Sequence, residues 1–245
     1  MRLKHFSLLM IAITLLNSCG KDPFCNCFES TGSKTSEIRT LNSFSTLEVF
    51  NNVSVNWHQS NDHKVVVTCG SNLIDGIQTD VEARVLKIRN INRCNWMRDP
   101  GNTFLIDVYS PALGTIICRT VGDITCKDTI RNNVFLAESW DGTGTIKLKL
   151  DVSEAYLKIH TGPVDIIANG KTDYCYLYNT GNGYIRAEGL QASDAFVMSR
   201  STGDCYVNSG NNLQVKIDYQ GDIYYLGQPS NIQSQITGTG RLIRF

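Results

Sequence analysis

The chain has 245 residues with 23 basic and 23 acidic side chains, so its formal net charge is zero. No basic patch or stripe of the kind that phosphate backbones require stands out, which argues against a nucleic-acid partner. Nine cysteines and twenty glycines are the compositional features to be explained.

At the N-terminus Arg2, Lys4 and His5 precede the apolar run "FSLLMIAITLL", which ends at Asn17-Ser18-Cys19. The run is too short to span a bilayer and has the form of a secretory signal. "LNSC" resembles a bacterial lipobox, so residues 1–18 are expected to be removed and Cys19 to carry the lipid. Two or three acyl chains, at about 0.8 kcal/mol per buried methylene, hold such a protein on a membrane. The expected location is the outer membrane, facing the periplasm or the outside. Without residues 1–18 the basic count falls to 21 against 23 acidic residues, still close to neutral.

Residues 19–36 are polar, turn-rich and without periodicity, as expected of a flexible tether. Cys25-x-Cys27 lies in it, but no Cys/His pair follows at finger-like spacing, so no metal site is expected. Lipidation of Cys19 leaves eight cysteines, an even number that an oxidising compartment permits to pair. Cys69 with Cys94 is the expected bridge.

From residue 37 onward short apolar alternations recur: Leu47 and Val49; Val53, Val55 and Trp57; Val65 and Val67; Leu86 and Ile88; Phe104, Ile106 and Val108. Period-2 patterning without a helical period makes the chain all-β. His58 and His63 flank "QSND", which reads as a hairpin turn rather than metal-ligand spacing. With His160 isolated, no Ser/His/Asp or Cys/His constellation emerges.

Residues 113–245 carry the clearest repeat. Gly122, Gly142, Gly162, Gly181, Gly203, Gly221 and Gly238 recur at spacings of 20, 20, 19, 22, 18 and 17. A period near 20 with a glycine corner signifies a solenoid. A single repeat cannot stand alone, because ordering its backbone costs about 1 to 2 kcal/mol per residue. Its few inward side chains return only about 1.5 to 3 kcal/mol each. The expected fold over 37–245 is a single-stranded parallel β-helix with rungs of about 20 residues. An antiparallel sandwich would explain the short strands but not the glycine period.

Three residues after the anchor glycines, on the outward parity, lie Tyr184, Tyr206 and Tyr224, expected to form a ladder on consecutive rungs. Asn182, Asp204 and Asp222, one residue after the glycine, are expected to rim it. Aromatic faces stack on sugar C–H surfaces while carboxylates and amides bond hydroxyls, so a glycan or a surface protein is the expected ligand class. The competing reading is a stability ladder of tyrosines with turn aspartates. An enzyme of the β-helix polysaccharide lyase or hydrolase type would need clustered carboxylates. Asp123 stands several rungs from Asp204 and Asp222, so no catalytic residue and no cofactor is expected. The C-terminal "RLIRF" ends the last rung, where an uncapped edge offers itself to another copy.

The sequence also resembles the bacterial family of auto-transporter adhesins with a head GIN domain. The opening resembles that family at Phe44, Leu47, Val49, Val53 and Val55, then Val65, Val67, Ile77, Leu86 and Ile88. Val108, Pro111 and Leu113 lead into Gly122-Asp123-Ile124. The most specific block is Gly221, Asp222, Ile223, Tyr225, Gly227 and Pro229. The resemblance implies exported proteins and lipoproteins, common in Bacteroidetes, built as parallel β-helices of Gly-x-Gly-Asp-Ile-like repeats with a surface-interaction role. The chain departs from the pattern where the double glycine is reduced to one, at Gly162, Gly203 and Gly221, and in its cysteine richness.

Overall fold

The computed structural model describes residues 30–93 and 104–245. Cys19, Cys25, Cys27 and Cys94, with the expected signal and most of the tether, lie outside the described residues. The strands in chain order are β1 (Lys34–Thr40), β2 (Thr46–Asn51), β3 (Ser54–Gln59), β4 (Lys64–Gly70), β5 (Ile77–Glu82), β6 (Val85–Asn90), β7 (Leu105–Ser110), β8 (Thr115–Thr120) and β9 (Ile124–Cys126). They continue as β10 (Ile130–Ser139), β11 (Thr145–Ile159), β12 (Asp165–Asn179), β13 (Ile185–Ser199), β14 (Cys205–Ile217), β15 (Ile223–Leu226), β16 (Asn231–Ile236) and β17 (Leu242–Arg244). The fold is all-β, and from β8 onward each strand pairs in parallel with the strand one rung later. This is the expected β-solenoid.

Two ladders run along it. One wall stacks β7, β3, β9, the first halves of β11 to β14, β15 and β17. The other stacks β6, β2, β8, β10, the second halves of β11 to β14, and β16. Inward positions alternate with outward ones, and register fixes the core columns. Ile124, Ile146, Ile166, Ile185, Cys205 and Ile223 form one column, every member fully buried. Ile116, Ala137, Leu157, Leu177, Val197 and Val215 form its counterpart on the second wall.

The first repeats depart from sequence order. The rung made of β2 and β3 lies between β6 and β7 on one side and β8 and β9 on the other. The expected hairpin across "QSND" is not formed: β7 sits between β3 and β4, parallel to the first and antiparallel to the second. On one wall β1 and β4 add antiparallel strands, and on the other β5 does. These close the N-terminal end of the core, which parallel stacking alone would leave open.

The register also moves the anchor glycine. The position two residues before the core column is occupied by Gly122, Gly144, Val164, Gly183, Gly203, Gly221 and Gly240. A Cβ on Gly183 would lie 1.7 Å from the carbonyl oxygen of Val164, and one on Gly203 would lie 2.0 Å from that of Gly183. Glycine is required here because the backbone of one rung closes onto the next. The other glycine of the doublet sits two residues earlier, in a slot filled by Thr120 and Ser201 in two rungs. In both, the hydroxyl accepts the N–H of the following glycine, at 3.1 Å for Gly122 and 2.8 Å for Gly203. A Ser/Thr turn thus replaces the first glycine of the pair.

Candidate functional site

The aspartate that immediately precedes the core column has a structural use. Asp123 Oδ1 accepts the Thr145 N–H at 2.8 Å, and Asp165 Oδ1 accepts the Tyr184 N–H at 2.9 Å. Asp204 Oδ1 accepts the Asp222 N–H at 2.8 Å, and Asp222 Oδ1 the Arg241 N–H at 2.8 Å. Each carboxylate satisfies a backbone donor of the next rung at a corner where the ladder is interrupted. Gly-Asp-Ile therefore reads as close approach, rung-to-rung cap and core plug. Arg241 also pairs with Asp222 at 2.8 Å and holds its carboxyl below the usual carboxylate range.

The expected tyrosine ladder is present in altered form. Arg186, Tyr206, Tyr224 and Ile243 share one outward column. Tyr184 falls in the aspartate column beside Asp204, two positions away, because the glycines chosen as anchors belong to different slots of the doublet. The Tyr206 and Tyr224 rings stack at 4.8 Å and 8°, with Phe245 set edge-on against both. The Arg186 guanidinium lies 5.2 Å from the Tyr206 ring centre and 5.3 Å from that of Tyr184, linking the third tyrosine to the pair. Asp204 and Asp222 adjoin this strip as caps, whereas Asn182 lies two positions before Tyr184 in its own rung. Burial raises the Tyr206 phenol above its ordinary value.

A larger outward aromatic surface lies on the other wall, and none of its residues was singled out as a site from the sequence. Tyr156, Tyr176 and Phe196 occupy one column across β11, β12 and β13, with Lys158, Tyr178 and Met198 in the column two residues on. Tyr174 stands beside them, and Trp140 and His160 close one side as a stacked pair, 3.9 Å apart at 11°. Tyr176 is 6.0 Å from Tyr156, 6.3 Å from Tyr178 and 5.5 Å from Phe196, the contacts to Tyr156 and Phe196 being tilted or edge-on. These two contacts differ from the coplanar stack of Tyr206 and Tyr224. All seven rings are half-buried.

Polar groups frame this surface. Tyr156 donates to Glu154 Oε2 at 2.7 Å, an interaction that raises its phenol pKa. Lys158 faces Glu138 at 3.6 Å. Burial lowers the His160 pKa and favours the neutral ring, against the opposing pull of the Glu138 carboxylate. At the bend between the walls a polar groove of about 480 Å³ is lined by Asp151, Lys171, Asp173, Gln191 and Asn211, among others.

The five cysteines among the described residues are core residues. Cys118, Cys126, Cys175 and Cys205 are buried thiols, and burial pushes the last three up to about 12. Cys69 is also buried, with its expected partner Cys94 outside the described residues. His58 stacks on Tyr109 at 5.0 Å and contacts Asp107 at 3.2 Å, consistent with a packing role. Among the described residues no group of three or more His, Cys, Asp or Glu is placed to hold a metal ion.

A β-solenoid with aromatic outer walls and an axial row of capping aspartates is a repetitive scaffold in which each rung contacts only its neighbours. Residues 43–229 match the sequence profile of the family described as "Putative auto-transporter adhesin, head GIN domain", and the chain belongs to that family. Three solved structures share the fold. A Bacteroides fragilis protein described as a "putative adhesin" is 18% identical, with a TM-score of 0.80 over 87% of this chain and 97% of that one. A Parabacteroides merdae "putative adhesin" is 18% identical, with a TM-score of 0.68 over 88% and 98%. A Parabacteroides distasonis protein described as a "Putative lipid binding protein" is 19% identical, with a TM-score of 0.66 over 88% and 98%. No curated protein matches the chain.

Proposed function

We propose that the chain is a non-catalytic binding module of the cell envelope, exported and held on the outer membrane by lipid at Cys19, and that it recognises glycan. Membership of an adhesin family supports a surface-interaction role. The observation that carries the ligand class is the half-exposed aromatic wall of Tyr156, Tyr174, Tyr176, Tyr178 and Phe196 beside a polar groove. Sugar rings present apolar faces to the aromatics and hydroxyls to the amides and carboxylates along the bend. Successive rungs repeat the aromatic surface about every 4.8 Å along the solenoid axis, which suits an extended chain better than a compact ligand.

The strip of Tyr184, Tyr206 and Tyr224 is the second place for a ligand. Tyr184, at 37% exposure, is its accessible ring, while Tyr206 and Tyr224 spend faces on each other. Asp204 and Asp222 already serve as backbone caps, which argues against their acting as a catalytic acid and base.

The test is a screen of the purified chain against host and microbial polysaccharides, with bound material and released products measured together. Binding without product supports the reading. New reducing ends or unsaturated sugars instead make the protein a polysaccharide hydrolase or lyase.

A further inference from the structure

Among the described residues the two walls end in four strands paired on one side only: β1, β5, β16 and β17. Such edges invite pairing with other chains, and proteins guard them with charge. β1 carries Lys34, Glu37 and Arg39, β5 carries Asp80 and Glu82, and β17 is three residues long with Arg244 in it and Arg241 before it. β16, Asn-Ile-Gln-Ser-Gln-Ile, has no charge and no proline, and all six residues are exposed. Its Ile232 and Ile236 are 40% and 45% exposed, although they continue the core columns of Leu213 and Ile217.

The sequence of this edge is a palindrome about Ser234: Ile232-Gln233-Ser234-Gln235-Ile236. Two antiparallel copies related by a dyad at Ser234 place Ile232 opposite Ile236, Gln233 opposite Gln235 and Ser234 opposite itself. Any dyad there pairs positions equally spaced about Ser234, and the palindrome makes each facing pair like with like. The backbone agrees. The Thr237 N–H bonds inward to the Ile217 carbonyl, so by strand alternation Gln235 and Gln233 also face β14. Ile232, Ser234 and Ile236 then direct their N–H and C=O groups to the free side. The three facing pairs are all of the type that exchanges two bonds, giving about six main-chain hydrogen bonds. The dyad also keeps the inward faces of the two strands on one side, so Ile232 and Ile236 of one copy lie beside those of the other.

We propose that β16 is a self-recognition edge, through which two copies of this chain pair antiparallel about Ser234, tail to tail. β17, stacked on β15, projects beyond the level of β16 on the other wall, so the two copies splay apart there and pair through β16 alone. The proposal is independent of the glycan reading, because no residue of the aromatic wall enters it.

Position 234 supplies the experiment. In a hydrogen-bonded antiparallel pair the Cα atoms stand about 5.5 Å apart, inside the range of about 4.4 to 6.8 Å that a disulfide spans. Ser234→Cys is expected to link two copies under mild oxidation far more completely than Gln214→Cys, an exposed position one strand inside the edge. Ser234→Lys sets like charges face to face on the dyad and is expected to weaken the dimer at least about tenfold, read by sedimentation velocity, with the circular dichroism spectrum unchanged. A wild-type chain that stays monomeric to high micromolar concentration overturns the proposal. So does a dimer that Ser234→Lys leaves intact, or a Ser234→Cys variant that links no better than Gln214→Cys.

Discussion

Replacing Gly203 by alanine tests the corner stacking from which the rung geometry follows. The added Cβ would sit 2.0 Å from the Gly183 oxygen, 2.8 Å from the Gly183 carbonyl carbon and 3.1 Å from the Asn182 oxygen. These are backbone atoms of the preceding rung, with no flexible side chain to swing aside. Ordinary contact requires well over an ångström more, a large part of the ~4.8 Å spacing between rungs. Relief must come from parting the ladder on one wall, at a cost of about 3 kcal/mol or more. For a domain of this size each kcal/mol lowers Tm by roughly 2 to 4 °C, so a fall of roughly 6 to 12 °C is expected in a thermal melt followed by circular dichroism. Gly210→Ala is the matched control: its Cβ would meet nothing nearer than the Ala192 oxygen at 3.7 Å. That variant should be neutral, or stabilised by up to about 1 kcal/mol through the unfolded chain. Equal melting temperatures for the two variants would refute close rung contact at the corner.

Three other outcomes are expected. Asp204→Ala removes the acceptor of the Asp222 N–H and should destabilise by about 1 to 3 kcal/mol in urea unfolding, whereas Asn at the same position keeps an acceptor and should recover part of the loss. Because burial depresses the His160 pKa, its contribution to stability is fully present above the unfolded value of about 6.5 and is lost as pH falls through the lower folded value; the drop in unfolding free energy between neutral and mildly acidic pH should shrink in His160→Phe. Cys126, Cys175 and Cys205, buried with thiols pushed up to about 12, should resist alkylation in the native protein and react once it is denatured, as read by mass spectrometry.

The fold was legible because its determinants are local and repeated. A corner glycine and an inward isoleucine recur in most rungs, with an outward aspartate in four of seven, so the period survives in one sequence. Register was less legible. Ser201 occupies the slot that glycine fills as Gly181 in the rung before, so aligning Gly181 with Gly203 shifts the reading by two residues. A shift of two preserves inward and outward parity, which is why the expectation has Tyr184 on the correct face but in the wrong column, whereas Tyr206 and Tyr224 do share one. The aromatic wall was missed for a different reason. Its signal is the alternation Tyr156-Leu157-Lys158-Ile159 and Tyr174-Cys175-Tyr176-Leu177-Tyr178, whose apolar outward members look like core until the distant glycine register assigns their side. The N-terminal order of β6, β2 and β8 leaves no periodic mark, because it depends on which strand reaches which edge.

The choice between the two aromatic surfaces is decided by comparing Tyr176→Ala and Tyr206→Ala against the best polysaccharide from the screen, by calorimetry on folded variants. An aromatic ring in such a contact is worth about 0.5 to 1.5 kcal/mol beyond its area, so Tyr176→Ala should weaken binding roughly tenfold through stacking and lost area together. Tyr206→Ala should leave affinity within about twofold of wild type while lowering Tm. Unchanged affinity in Tyr176→Ala, with binding lost in Tyr206→Ala, would contradict the assignment and return the site to the strip of Tyr184, Tyr206 and Tyr224.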